Sequence, residues 1–233
     1  PSTGYEERPG RWVAEAAWPS ARITPWRLTL TRHHLRPGDG EGEPHAIEHA
    51  SPLTVGLFAG KWCSYAAGPD LAHDQRREDG GALVFETDPL TAPVEILGAA
   101  EAELEVSVDR PAALLAARLS DVRADGSVTR VSYGLLNLAH RESSEDPKPM
   151  TPGEPARVRV RLNGVAHRFP AGHRLRLSIS TSYWPLAWPS PEAARVTLTT
   201  GRSALVLPVR PPAEADAALG AAPTTAPAAP AGP

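Results

Sequence analysis

The serine and cysteine residues of this sequence form no pattern that is typical of a nucleophilic enzyme. The nearest approach to the Gly-x-Ser-x-Gly turn of serine hydrolases is Gly201-Arg202-Ser203-Ala204-Leu205, which lacks the second glycine. We interpret it as a hairpin turn between two strands. The single cysteine, Cys63, has no base at a fixed spacing, and a lone cysteine is more often a small buried apolar residue. We therefore expect no catalytic residue in this chain.

The histidines and acidic residues predict neither a metal site nor a cofactor site. His45 and His49 have the i, i+4 spacing of helical zinc ligands, but the turn-rich residues before them disfavour a helix. Asp121 and Asp125-Gly126 lack the remaining ligands of a calcium loop, so we interpret them as part of a turn. The other histidines at issue are scattered along the chain: His33, His34, His140, His167 and His173.

The aromatic residues are the strongest candidates for a functional surface. Six tryptophans against three phenylalanines is an unusual ratio. Exposed rings could stack on a sugar, line an acyl pocket or dock on another domain, whereas buried rings would belong to the core. Our candidates for domain docking or for lining a cleft are Trp12, Trp18, Trp62, Tyr65, Trp184 and Trp188.

Composition limits the classes of protein that this chain can represent. Of its 233 residues, 41% are hydrophobic and 22% charged, which is typical of a globular domain. A net charge of −3 disfavours a nucleic-acid partner. No apolar run approaches the roughly 20 residues that span a bilayer, so we expect no membrane partner. One cysteine cannot form an internal disulfide, which favours a reducing compartment such as the cytoplasm.

The elements that must position these residues are short strands. The 26 prolines and 19 glycines leave little room for long helices. Between them, apolar and polar residues alternate with the period of two that is typical of strands with one buried and one wet face. We predict about nine strands, over residues 26–31, 83–87, 102–108, 114–119, 128–136, 157–162, 174–180, 196–200 and 205–209. This pattern predicts an all-β fold, a β-sandwich of the jelly-roll type.

Other segments lack this alternation and set the expected domain boundaries. Residues 36–44 and 142–155 are rich in turn-forming residues and predict exposed connections. Residues 211–233, with ten alanines and six prolines, predict a disordered tail. We expect a lead-in over 1–20, the sandwich over 21–210 and the tail over 211–233. Because the sequence opens without Met, we expect it to be the C-terminal part of a longer protein.

Four motifs, in order along the chain, resemble a known family. Residues 10–19, GRWVAEAAWP, resemble the "W-x-x-E-x-x-W-P" lead-in that follows the catalytic domain of cocaine-esterase-like (CocE/NonD) hydrolases, which include the X-prolyl dipeptidyl-peptidases. Asp74-Gln75-Arg76 with residues 83–90 is similar to the family's "D-Q-R … L-x-F-x-S-x-P-L". Residues 117–126 are similar to its "A-x-L-x-D-V-x-x-D-G", and residues 169–180 to its "F-x-x-G-H-R-I-R-L-x-I-S".

This resemblance implies a galactose-binding-like jelly-roll domain that follows an α/β-hydrolase domain. The family's catalytic Ser, Asp and His belong to that preceding domain, and none maps onto this chain. The resemblance therefore implies a non-catalytic accessory domain that packs on the catalytic domain of an acyl esterase or X-Pro dipeptidyl-peptidase and shapes its substrate cleft. Contacts in a homo-oligomer are a second role that it allows. The matching polar residues Asp74 and Arg76 are expected to pair or cap locally.

Two alternatives stay open. A stand-alone carbohydrate-binding β-sandwich would expose tryptophans in a concave surface beside amide and acid side chains. A purely structural module would need no such surface. An uncovered apolar patch around Trp12, Trp18 and Trp26 would instead favour docking on a missing domain.

Overall fold

The computed structural model describes residues 10–38, 42–62 and 71–222 of the chain. Short strands dominate these residues, because prolines and glycines repeatedly interrupt the alternating pattern. One α-helical turn, α1 (Arg76–Asp79), and two 3-10 turns, Leu138–His140 and Glu214–Leu219, also occur. The strands are β1 (Gly10–Arg11), β2 (Thr24–Leu30), β3 (Leu35–Pro37), β4 (Ala46–His49), β5 (Leu83–Glu86), β6 (Val94–Gly98), β7 (Glu101–Val108), β8 (Leu114–Val122), β9 (Val128–Asn137), β10 (Ala156–Arg161), β11 (Val165–Phe169), β12 (Arg174–Ser180), β13 (Val196–Val209) and β14 (Ala221–Ala222).

The strands form two antiparallel sheets that pack face to face. The larger sheet has the order β10-β7-β13-β2-β3, with β4 and β6 also paired to β13, and β11 paired to β6. The smaller sheet has the order β5-β12-β8-β9, and β1 pairs with β14 separately. This arrangement confirms the expected all-β sandwich. Strands β3, β4, β6 and β11, of three to five residues each, were not predicted from the sequence, although β5, of four residues, was.

The core lies between the two sheets and is built from one side of each strand. Alternate residues of β7 and β10 in the larger sheet meet alternate residues of β8 and β12 in the smaller sheet. These side chains are at most 3% exposed, and they include Leu104, Val106, Val158, Val160, Leu115, Leu119, Leu175, Leu177 and Ile179. The period of two in the sequence therefore identified the core-facing side of the central strands.

The outer face of the larger sheet is charged. In register across β7 and β10, Glu105 faces Arg157 and Glu103 faces Arg159. Arg27 of β2 also forms an ion pair with Glu103 at 2.5 Å. Opposite charges on neighbouring strands stabilise the pairing, and arginines along the edge strand β10 discourage pairing with another sheet. The larger sheet therefore has one buried face and one wet face, as the alternation predicts.

The outer face of the smaller sheet is covered, which the sequence did not predict. Every residue of β8 is buried, and Arg118 and Ser178, which alternation assigns to a wet face, are each 0% exposed. The covering layer comes from residues 51–62, 71–82 and 181–190. Arg130 of β9 ties this layer down by donating to the Ala59 carbonyl oxygen and the Tyr183 hydroxyl, both at 2.8 Å.

Residues 201–205 do not form the expected hairpin turn. They lie inside β13, a single strand of 14 residues whose register with β7 shifts between Thr199 and Ala204. Gly201 has φ +76° at this bulge, and a β-carbon there would come within 2.5 Å of the Gly42 carbonyl oxygen. Ser203 is buried and its hydroxyl donates to Thr199 at 2.7 Å, so it is a structural residue of the bulge.

The end of the folded region also differs from the sequence boundary at residue 210. Residues 211–222, expected to be part of a disordered tail, contain the 3-10 turn Glu214–Leu219 and strand β14. Asp216 in this turn is buried and accepts a hydrogen bond from Arg210. This polar contact anchors the segment, and a count of apolar residues could not have predicted it. The rest of the expected tail, residues 223–233, lies outside the described residues.

Several local predictions are confirmed. Asp74 accepts hydrogen bonds from the Arg76 main chain at 3.0 Å and from its side chain at 3.0–3.1 Å. Asp125 accepts from Ser127 in the β8–β9 hairpin, where Gly126 has φ +81°. Residues 142–155 contain no strand. In the part of the chain that is described, no helix is long and apolar enough to cross a membrane.

Candidate functional site

Five of the six candidate aromatic residues lie at the surface, and the sixth, Tyr65, lies outside the described residues together with Cys63. Trp26 differs from the expectation for the first tryptophan group, because it is only partly exposed and packs against the core. The exposed fractions are 57% for Trp12, 67% for Trp18, 74% for Trp62, 37% for Trp184 and 79% for Trp188. Large aromatic rings exposed to this degree are unusual in a domain that works alone.

Trp12 and Trp18 form what we call the lead-in surface. The Trp18 ring and the Pro208 side chain both lie 3.5 Å from the position that a β-carbon on Gly98 would occupy. The Trp18 ring therefore lies near Gly98 and the last residues of β13. Both rings keep more than half of their surface exposed.

Trp184 and Trp188, with Leu53 and Leu57, form the tryptophan-pair surface. The two rings meet edge to face, with centroids 4.8 Å apart. Leu53 and Leu57 are 63% and 58% exposed. Gly56, with φ +119°, joins the two segments, because a β-carbon there would lie 2.0 Å from the Trp184 carbonyl oxygen. Only glycine allows this approach of the two main chains.

The two surfaces lie near opposite ends of β13, so the candidate residues do not form one site. Trp18 lies beside Pro208 near the end of this strand. The tryptophan-pair surface lies near its start, where β4 pairs with Val196. Just after β4, the Ser51 main-chain N–H donates a hydrogen bond to the Thr181 hydroxyl at 3.0 Å. Twelve residues of strand at about 3.3 Å each separate the two ends by roughly 40 Å before twist and the bulge shorten it. Trp62 is in the same segment as Leu53 and Leu57.

Glu78, in α1, holds the segment that carries Leu53 and Leu57. It is 1% exposed, and its two carboxylate oxygens accept the main-chain N–H groups of Gly56 and Phe58, each at 2.5 Å. Charge-assisted bonds to main-chain donors are strong and directional. Gln75 adds a bond from its side-chain amide to the Phe58 carbonyl oxygen at 3.2 Å. The sequence motif included Gln75 but not Glu78.

Asp79 joins the covering layer to the smaller sheet. Its carboxylate accepts from Arg176 at 2.6 Å, from Ser178 at 2.7 Å and from Arg118 at 3.3 Å. All four residues come from sequence segments that periodicity alone would place on a wet face or in a loop. Arginine and serine alternating with leucine along two neighbouring strands is the one signal that could have identified a buried polar layer.

Two of the histidines that are scattered along the sequence lie close together in the fold. His173 Nδ1 lies 2.8 Å from Asp121 Oδ1, and His167 Nε2 lies 3.5 Å from Asp121 Oδ2. The contact joins β11 of the larger sheet to β8 of the smaller sheet. Among the described residues, no group of three or more His, Cys, Asp or Glu side chains is arranged to hold a metal ion.

Comparison with known families and proteins bears on these surfaces. Residues 1–225 match the family described as "X-Pro dipeptidyl-peptidase C-terminal non-catalytic domain". The cocaine esterase of Rhodococcus sp. is 32% identical over 113 residues, which cover 48% of this chain and 19% of the esterase. The chain spans less than a third of the length of the curated relatives that it matches.

Solved structures share the fold. An aminopeptidase from a marine sediment archaeon, Thaumarchaeota archaeon, superimposes with a TM-score of 0.70 and 21% identity, over 86% of this chain and 38% of its own. A CocE/NonD family hydrolase from Staphylococcus aureus superimposes with a TM-score of 0.65 and 15% identity, over 88% of this chain and 41% of its own. In both proteins the shared fold is less than half of a longer chain.

Proposed function

Because the chain belongs to the family of X-Pro dipeptidyl-peptidase C-terminal non-catalytic domains, we propose that it packs on the catalytic domain of the same polypeptide and shapes its substrate cleft. The catalytic domain would be an α/β-hydrolase that cleaves esters or X-Pro peptide bonds through an acyl-enzyme. The names of the relatives, a cocaine esterase and an aminopeptidase, support this range of activities. The nucleophile and its base would belong to the catalytic domain.

One observation carries this proposal, namely the uneven distribution of exposed side chains. The described residues place five exposed tryptophans and two exposed leucines on the lead-in and on the layer over the smaller sheet. The outer face of the larger sheet carries arginine and glutamate instead. Exposed aromatic rings gain most when a partner covers them, whereas paired charges are stable in water.

We assign different roles to the two surfaces. The lead-in surface adjoins Gly10, where the chain arrives from upstream residues, and it docks on the catalytic domain. The tryptophan-pair surface is held rigidly by Glu78 and Gly56, and it covers one wall of the cleft. Side chains that limit which acyl groups fit must be held in fixed positions, and a carboxylate that binds two main-chain N–H groups provides this.

The test is to oxidise tryptophan side chains with hydroxyl radicals in two samples, this chain and the full-length polypeptide that contains it. We expect Trp12, Trp18 and Trp188 to be at least several-fold less reactive in the full-length protein. As an internal control, Arg159 and its neighbours on the charged face should be oxidised to the same extent in both samples. Equal reactivity of all the tryptophans would contradict docking.

A sugar-binding module predicts a different result. Binding of mono- or oligosaccharides to this chain, lost in Trp188→Ser, together with unchanged tryptophan reactivity in the full-length protein, would favour that function.

We also expect the protein to act in a reducing compartment such as the cytoplasm, because Cys63 has no internal partner for a disulfide. If the protein forms a homo-oligomer, we expect this chain to self-associate through the same exposed tryptophan rings.

A further inference from the structure

Arg210, the residue that follows β13, is buried among carboxylates. Its side chain is 1% exposed. It donates to both oxygens of Asp216, at 2.7 and 2.8 Å, and to Glu15 at 2.6 Å. Glu95 of β6 lies 3.4 Å from the same guanidinium. One side chain thus connects the lead-in, the larger sheet and the 3-10 turn Glu214–Leu219.

Arg11 of the lead-in and Arg22, two residues beyond it, complete the group. Arg11 lies 2.6 Å from Glu95 and 3.1 Å from Asp216, and Arg22 lies 2.9 Å from Glu15. Strand β1 also pairs with β14, so the lead-in and the last described residues lie side by side. We call these six residues the arginine clamp: Arg11, Glu15, Arg22, Glu95, Arg210 and Asp216.

Apolar packing does not hold the lead-in by itself. No residue from 10 to 22 is buried, although the Trp18 ring lies near Gly98 and adds one apolar contact. Each carboxylate of the clamp lies within 4 Å of at least two arginines, and Arg168 of β11 also approaches Glu95, at 3.6 Å. Arginine binds a carboxylate with two parallel bonds, as Arg210 does with Asp216, and this fixes orientation as well as distance.

We propose that Arg210 is a positioning residue for domain docking. Through Glu15 and Asp216 it fixes the path of the lead-in, and so the direction in which Trp12 and Trp18 face. Residues 211–222 act as a strap that supplies one side of the clamp. This inference rests on the proposed docking of the lead-in surface, and it adds that the C-terminal strap controls that docking from within this domain.

The first part of the test uses this chain alone. Hydrogen exchange of residues 10–22 is measured by mass spectrometry in Arg210→Met, Asp216→Asn and Arg210→Lys. We expect exchange at least ten-fold faster in the first two variants and an intermediate rate in Arg210→Lys, which keeps the charge but not the two parallel bonds. The matched control is Arg118→Met, which removes an equally buried arginine from the smaller sheet and should leave residues 10–22 unchanged.

The second part uses the full-length polypeptide and reads the radical reactivity of Trp12 and Trp18. Arg210→Met and Asp216→Asn should restore most of the reactivity seen in this chain, and Arg118→Met should not. If Trp12 and Trp18 stay protected in both clamp variants, the positioning role of Arg210 is wrong. If they are not protected in the unmodified full-length protein either, the proposed docking itself has failed, which is a separate outcome.

Discussion

Asp79 illustrates how one carboxylate can hold a whole layer of a sandwich. It is 9% exposed and faces two guanidinium groups, those of Arg118 and Arg176. Arg176 also pairs with Glu86 at 2.6 Å, so of the two cations Arg118 depends more on Asp79 for compensation of its charge. Burial of unpaired charge is costly, whereas a paired charge is tolerated.

Replacing Asp79 by Asn should therefore be strongly destabilising. The variant keeps the shape of the side chain but leaves the buried Arg118 without its paired carboxylate, which costs about 3–5 kcal/mol of unfolding free energy. Urea unfolding followed by tryptophan fluorescence measures this. The control is Asp88→Asn, at an exposed carboxylate that pairs with Arg36, where we expect a change below about 1 kcal/mol. Similar losses in both variants would contradict the role given to Asp79.

Glu78 acts at the same scale but on the main chain. Glu78→Ala should remove two charge-assisted bonds, to Gly56 and Phe58, at about 1.5–3 kcal/mol each before relaxation. Proteolysis under native conditions should then cut within residues 52–62 faster than in Glu154→Ala, which alters an exposed glutamate in a loop. Unchanged cleavage would mean that the other contacts of the covering segment, including the hydrogen bonds from Gln75 and Arg130, hold it without Glu78.

At the scale of elements, the close approach of two loop segments decides where the tryptophan-pair surface lies. Gly56 and Gly153 both have positive φ, but only Gly56 has neighbours within 4 Å of its missing β-carbon. Gly153→Ala should cost about 1–2 kcal/mol for the backbone conformation alone. Gly56→Ala should cost that amount and a further 1–3 kcal/mol, because the methyl group would overlap the Trp184 main chain. Equal losses, measured by urea unfolding, would contradict the contact.

The C-terminal strap is also an element whose role can be isolated by truncation. Deleting residues 211–233 removes Asp216 and β14 and leaves the buried Arg210 with one fewer carboxylate. We expect the midpoint of thermal unfolding to fall by several degrees. Deleting only residues 223–233 keeps every contact described for the clamp and should change the midpoint little. The reverse order of effects would show that residues 211–222 do not anchor the fold.

At the scale of the whole molecule, the clamp makes stability depend on acid. The hydrogen bonds from Arg210 hold the pKa of Asp216 below its usual value of 3.8. The bond from Ser20, with those from Arg210 and Arg22, lowers the pKa of Glu15 from 4.5. A carboxylate with a lowered pKa in the folded state stabilises it above the usual pKa, and this contribution is lost as the pH falls below about 4.

The corresponding measurement compares this chain with Asp216→Asn between pH 7 and pH 2.5. The variant should unfold at a lower temperature at pH 7, and the difference should shrink below pH 4, because the carboxylate that distinguishes the two proteins becomes protonated in the unfolded state. A difference that stays constant down to pH 2.5 would show that Asp216 contributes by packing and not by its charge.

The charged face and the tryptophan surfaces together predict how the isolated chain behaves in solution. Uncovered aromatic rings should bind a hydrophobic dye and favour self-association, and Trp188→Ser should reduce the dye signal. Arg159→Ser, on the charged face, should not reduce it. A monomeric chain that binds no dye would mean that these rings need no partner, which would weaken the docking proposal.

The order of residues alone was enough to predict the fold class and to indicate the family. Alternation in strands such as β7, β10 and β12 depends only on the order of residues, because neighbouring side chains of a strand must point to opposite faces. The turns at Asp125-Gly126 and residues 170–172 follow from local backbone preferences in the same way. Motifs in the lead-in and in the hairpins, each local in sequence, sufficed to indicate the family.

What covers each face, and which distant residues meet, became visible only in the folded chain. Alternation marks Arg118 as polar, but only the position of Asp79 shows that it is buried and paired. Alanines and prolines after residue 210 suggest disorder, yet Asp216 is held by Arg210, six residues before it, and by Arg11, about 200 residues before it. The candidate tryptophans likewise divide between two surfaces near opposite ends of β13. These outcomes depend on contacts between residues far apart in sequence, and local patterns carry no information about such contacts.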